Sequence, residues 1–147
     1  MILLDTGFIF ALVCRRDANH KRVCAVMDEY RGRDLRRLVL TTNHVVEETI
    51  TLIRSSVHRD AGVAHDIAVD VGRQLFAGVF GRIHHATPDE EHAAFEYLAR
   101  HRDKKYSLTD CLSFVVMEAH GISEALAVDE DFTHRFIARP GPMPKAG

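Results

Sequence analysis

A chain of 147 residues that is 46% hydrophobic can bury the core of one ordinary domain. Its formal net charge of −2 excludes a broadly cationic nucleic-acid coat, but leaves room for RNA or DNA held by metal ions and a local basic strip. The three cysteines have no CxxC spacing and no apolar run approaches a membrane span, so the chain reads as a cytoplasmic domain with reduced thiols.

The chain opens on Met1-Ile2-Leu3-Leu4 with no basic leader. Ile2–Leu4 has the continuous apolar character of a strand buried on both faces of a parallel sheet. It ends in Asp5-Thr6-Gly7, where open α/β sheets place ligands, and a helix begins over residues 8–13. Asp5 has an equally good reading as the N-cap of that helix. Between Ala18 and Arg31, Val23, Val26, Met27 and Tyr30 recur at helical spacing and predict an amphipathic helix. The Arg-rich run Arg31–Arg37 then reads as a solvated turn with phosphate contact as its functional alternative.

Leu38-Val39-Leu40 predicts the second buried strand, and Thr41-Thr42-Asn43 offers capping chemistry for a helix over residues 43–57. That helix carries Glu47 and Glu48 in its first turns. Glu47 shares a stripe with Ile50 and Arg54, a candidate ion-pair partner, whereas Glu48 lies with Val45 and Leu52 and has no cation along its own face. Periodicity does not separate the two. Residues 60–76 predict a helix lined by Val63, Ile67, Val71, Leu75 and Phe76. Arg82–Ala86 reads as a strand whose His84 and His85 point to opposite faces and so do not share one metal. Thr87-Pro88-Asp89-Glu90 is a capping box opening a helix to about His101, with Ala93, Ala94, Tyr97 and Leu98 inward.

Ser107–Phe132 is the densest stretch. Ser107-Leu108-Thr109-Asp110 puts an acid at the mouth of a helix that is apolar nearly all round, and Gly121 ends it. Residues 125–128 then predict a short buried strand that delivers Asp129 and Asp131, followed by a short helix over Thr133–Ile137. One domain over residues 1–138 is expected, with 139–147 as a flexible tail. Strands alternating with helices predict an α/β fold with a mainly parallel sheet flanked by helices on both sides.

In such a sheet all strand C-termini share one edge, so Asp5, Asp110 and Asp129 converge there, with Glu48 reaching toward them from its helix. Singly, Asp5, Asp110 and Asp129 each have a structural reading at a helix start. Together they repel one another, and a divalent cation relieves that repulsion. An all-oxygen set suits Mg²⁺ or Mn²⁺, ions that activate water during attack on a phosphodiester. Zinc chemistry lacks its ligand spacing, and a phosphatase using Asp5 as nucleophile lacks a second Asp where Gly7 stands.

Four segments resemble the PIN-domain ribonucleases, and within them the VapC-type toxins of toxin–antitoxin pairs. They are Leu3-Leu4-Asp5-Thr6-Gly7, the stretch Thr41–Leu52 around Glu48, Tyr106–Phe114 around Asp110, and Ala127-Val128-Asp129-Glu130-Asp131-Phe132. The resemblance implies a three-layer α/β/α sandwich and Mg²⁺- or Mn²⁺-dependent endoribonuclease activity. It also implies a homodimer and inhibition by a protein antitoxin that plugs the acidic pocket with a basic side chain. It places the metal-binding, catalytic acids on Asp5, Glu48, Asp110 and Asp129, choosing Glu48 over Glu47. Thr6 and Thr109 fall at positions that help order the site. Asp131 is an extra acid, open to metal binding or helix capping, and Gly7 stands where many relatives carry Ser or Asn. The competing readings are a non-catalytic module that keeps the fold and a PIN nuclease that belongs to no toxin–antitoxin pair.

Overall fold

The computed structural model, described for residues 1–146, is built on a five-stranded sheet in the order β3-β2-β1-β4-β5, with every pairing parallel. The strands are β1 (Ile2–Leu4), β2 (Val39–Thr42), β3 (Arg82–His84), β4 (Glu124–Ala127) and β5 (Ile137–Pro140). Between them run α1 (Thr6–Val13), α2 (His20–Asp28), α3 (Leu35–Leu38), α4 (Asn43–Ser56), α5 (Ala61–Phe76), α6 (Pro88–Arg100) and α7 (Leu108–His120), with a 3₁₀ turn at Glu130–His134.

Alternation along the central strands divides the interior into two cores. Ile2, Leu4, Val39 and Leu126 face a layer containing Phe8, Ile9, Val45, Val46, Ile53 and Leu75. Leu3, Leu40, Ala125 and Ala127 face the opposite layer with Tyr97, Leu112, Phe114, Met117 and Phe132. The result is the expected three-layer sandwich, with the sheet parallel throughout rather than mainly so. No helix among the described residues is long and apolar enough to cross a membrane.

Helix starts are written in local chemistry. Thr42 accepts from Val45 N at 3.1 Å, Asp60 from Val63 N at 3.0 Å, and Thr87 with Glu90 closes the expected capping box. Gly121 ends α7 in the left-handed region at φ 64°, as a C-terminal glycine should.

Four expectations need correction. Arg31–Arg37 is not all turn, because Asp34 caps the short helix α3 by accepting from Arg36 N, and Leu38 closes that helix instead of opening β2. The inner face of α5 is Ala64, Ala68, Val71, Gly72 and Leu75, while Val63 and Phe76 are 41% and 68% exposed. Close packing is the reason. A Cβ on Gly72 would stand 3.1 Å from Ile50 Cδ1, so small residues, not the largest apolar ones, line the contact with α4. Ala93 is exposed on α6, which buries Ala94 and Tyr97. Finally, the helix expected over 133–137 begins earlier as the 3₁₀ turn, and Ile137–Pro140 forms a fifth strand pairing with β4. That strand runs two residues into the segment expected as a tail. Arg22 donates to the Pro140 and Gly141 carbonyls at 3.0 and 2.9 Å, fixing it against α2.

The cysteines divide as well. Cys14 and Cys111 are buried, Cys24 is only partly so, and all three are free thiols. Burial, with the Asp110 carboxylate beside it, pushes the Cys111 thiol up to about 11, making it an inert core residue.

Candidate active site

β1, β4, α1, α4 and α7 meet at the C-terminal edge of the sheet. Asp5 leaves β1 there, and its backbone N–H still donates to Leu126 O of β4 at 3.0 Å. Its side chain caps α1 by accepting from Gly7 N at 3.4 Å, so the capping reading and the site reading fall on one residue. Only one carboxylate oxygen is used this way. Asp5 is 2% exposed, and Oδ1 is buried with no hydrogen-bond partner among the described residues. Leaving a buried acceptor unmet is costly, and more so for a charged one. Burial, and then the neighbouring Asp110 and Asp129 carboxylates, push the Asp5 carboxyl well above its ordinary value.

Asp110 sits in the first turn of α7 and has a second structural job. Its carboxylate accepts from Ser107 N at 3.0 Å while Ser107 Oγ accepts from Asp110 N at 3.0 Å, a reciprocal cap. Burial is the main reason that its carboxyl rises to about 6, with Asp131 and Glu48 adding to the rise and the Ser107 hydrogen bonds opposing it. Asp129 follows β4 on the exposed rim. It too is raised, by desolvation first and then by Asp131, Glu48 and Glu130. Asp131 therefore stands within electrostatic reach of both Asp110 and Asp129.

Gly7 lies beside two of the acids. A Cβ there would stand 3.0 Å from Val128 Cγ2, 3.7 Å from Asp129 Oδ2 and 3.8 Å from Asp5 Oδ2. A side chain at this position would press on Val128 while meeting both carboxylates at ordinary contact distance.

Glu48 is half-buried and Glu47 exposed, and both line a cleft of about 450 Å³ with His44, Thr51, Leu52, Ser55 and Thr109. The Arg54 partner considered for Glu47 is turned elsewhere, donating to His65 Nδ1 at 3.1 Å. Thr109 lies on the cleft wall, and Thr6 is buried with its hydroxyl unpartnered. Two further buried hydroxyls lack partners and were not singled out in the sequence: Thr49, beside Glu48, and Ser113, one turn after Asp110. Nothing in a lone Thr or Ser signals such a position, but adjacency to a candidate acid on the buried helix stripe does.

Among the described residues no group of three or more His, Cys, Asp or Glu is drawn together tightly enough to hold a metal ion. The acids are instead coupled through charge, Asp110 and Asp129 acting on Asp5, and Glu48 and Asp131 acting on Asp110 and Asp129. The donor set is all oxygen and carries an unmet buried carboxylate atom, which fits a hard divalent cation whose shell is completed by water. His84 and His85 diverge as expected. His84 bonds Glu90 at 2.8 Å, and His85 faces a different cleft beyond β3.

Comparison with known proteins places these observations in a family. A PIN-domain family model matches residues 2–135. The 23S rRNA-specific endonuclease VapC20 of Mycobacterium tuberculosis, from two strains, is 38% identical over 137 residues, which cover 90% of this chain and 92% of that protein. The crystal structure of M. tuberculosis VapC20, described as a sarcin-ricin loop cleaving toxin, is similar with a TM-score of 0.77 at 34% identity. That match covers 91% of this chain and 94% of the other.

Proposed function

The chain belongs to the PIN-domain family, and from that premise we propose that it is a Mg²⁺- or Mn²⁺-dependent endoribonuclease, the toxin of a toxin–antitoxin pair. The observation that carries this reading is the buried Asp5 carboxylate, with one oxygen unmet and further acids raising its proton affinity. The similarity to an rRNA endonuclease over nine-tenths of the chain supports RNA as the substrate, and a structured loop of 23S rRNA is the first candidate to test.

In this reading Asp5, Glu48, Asp110 and Asp129 hold the ion, with Asp131 as a reserve ligand. When bound, the ion supplies an activated water and charge stabilisation for the leaving oxygen. The chain does the rest. Asp5 is fixed by its cap to Gly7 and Asp110 by its box with Ser107, so neither carboxylate has to be ordered when substrate arrives. Thr109 lines the cleft beside Glu48, and the unpartnered Thr6 hydroxyl next to Asp5 is free to bond a water of the ion's shell. The cleft beside Glu48 and Thr109 gives the RNA backbone access to the edge. The negative edge is also the surface that a basic side chain of an antitoxin would cover, in a homodimer acting in the cytoplasm.

The test is cleavage of labelled 23S rRNA fragments by purified protein with Mg²⁺, Mn²⁺ or EDTA. Wild type should cut only with metal, and Asp5→Asn and Asp110→Asn should not cut. A non-catalytic binding module that keeps the fold is the second reading. RNA that is bound but left intact by wild type under all metal conditions would select it.

A further inference from the structure

The cleft beyond β3 has no role in the chemistry above. It measures about 360 Å³ and lies along the outermost strand on its side of the sheet, between α5's last turn and β3. Its ionisable lining is Arg36, Arg82 and His85, with no carboxylate, although the whole chain is net negative. Phe76 stands at its wall, 68% exposed, the most exposed of the large hydrophobic side chains.

Arg36 separates itself from the rest of the Arg-rich run. Arg31 is paired with Asp28 at 2.7 Å, Arg37 with Asp34 at 3.4 Å, and Arg33 lies over the Tyr30 ring at 5.5 Å. Arg36 has no carboxylate partner among the described residues. It donates to Ala77 O and lies over Gly78, where a Cβ would come within 2.8 Å of its Nε. Gly78, at φ 75°, therefore leaves room for the guanidinium to lie across the cleft. Arg82 likewise has no carboxylate partner among the described residues, and its side chain donates to Met1 Sδ at 3.7 Å. His85 follows β3 on the same side as Ile83, so the cleft runs along the strand toward the sheet edge that carries the acids.

We propose that this cleft is a second RNA-binding site, holding one unpaired nucleotide of the substrate away from the cut. Arg36, Arg82 and His85 take its phosphates and Phe76 stacks on its base. The pairing of free cations with an exposed aromatic face is the chemistry of single-strand recognition. The volume suits a ligand of nucleotide size. The proposal rests on the endoribonuclease reading for its ligand, but not for its residues.

The test measures binding of labelled single-stranded RNA in EDTA, over a range of salt, by wild type and by the Arg82→Glu, Arg82→Ala and Phe76→Ala variants. Arg102→Glu, an exposed cation elsewhere, is the control. The altered side chains are exposed, so melting temperatures should be unchanged. Arg82→Glu and Phe76→Ala should each weaken binding about tenfold. Arg82→Ala should lower the slope of log affinity against log salt by about one. The control should bind like wild type. Wild-type affinity in both Arg82→Glu and Phe76→Ala overturns the proposal while leaving the nuclease reading intact. So does conversion of a dimer to a monomer by the same variants, which would make the cleft a subunit contact. If wild type binds RNA through these residues but never cuts it, the site stands and the nuclease reading falls.

Discussion

Helix α7 joins two regions of opposite character. From Cys111 to Met117 it is packed into an aromatic cluster, with Phe114 edge-on to Phe132 at 5.1 Å and to Tyr106 at 5.0 Å. Tyr106 is satisfied there through His134 at 2.8 Å, and Tyr97 stacks on His101 at 4.2 Å. Offset and edge-on rings of this kind add to the burial that already dominates core stability. One turn away, the acid edge keeps Asp5 Oδ1 and the Thr6, Thr49 and Ser113 hydroxyls buried without partners. The first region stabilises the fold and carries no chemistry. The second is costly to the fold and holds the acids to which the proposed chemistry is assigned. A rigid helix between them lets the one hold the other in place.

The sharpest break in this contrast comes from Asp5→Asn or Asp110→Asn. Cleavage in Mg²⁺ should fall about 10²–10⁴-fold. At neutral pH and without metal, the same variants should melt higher than wild type, because a carboxylate that is buried and repelled by its neighbours has been removed. Loss of both activity and stability would mean that Asp110 matters as a cap alone. The opposite profile is expected of Phe114→Ala, which should lose about 3–5 kcal/mol in denaturant unfolding. Cleavage per folded molecule should persist in it.

The pH dependence of the metal-free protein follows in size. Asp110 titrates near 3.8 when unexceptional and at about 6 in the fold, so the folded state holds its proton more tightly than the unfolded chain. Stability should therefore decline as pH rises through that window, with the raised Asp5 carboxyl adding to the decline. Saturating Mg²⁺ should flatten the slope in thermal melts. A rise in metal-free stability across the same window would contradict the raised carboxyls. The smallest effect belongs to Glu47→Gln, an exposed position outside the charge-coupled acids. Stability should move by no more than about 0.5 kcal/mol and cleavage should stay near wild type. A loss as large as that of Glu48→Gln would move the site one residue along α4.

Much of this was legible in the chain itself. Apolar runs too short for helices and ending in Asp5, Thr42 or Asp129 mark parallel strands, and the capping boxes at Thr87 and Ser107 mark helix starts almost to the residue. β5 was hidden because Ile137-Ala138-Arg139-Pro140 is short, charged and proline-terminated. Those traits suit an edge strand, but they also describe a tail. The α5 face was misread because hydrophobicity ranks Phe76 above Ala68, whereas two helices in close contact favour the smaller residue. Glu48 and Glu47 could not be separated by periodicity, since both face the same cleft and only the approach to Asp110 and Asp129 distinguishes them. The role of Gly7 was invisible without the position of Val128 across the sheet edge.

The central claim is that the four acids share one divalent cation. Titration of metal-free protein with Mn²⁺, followed by the spin-resonance signal of the free ion, tests it without relying on catalysis. Saturable binding is predicted for wild type and for Glu47→Gln, with binding weakened severely in Asp5→Asn, Glu48→Gln, Asp110→Asn and Asp129→Asn. Equal Mn²⁺ binding by wild type and Asp5→Asn would contradict it.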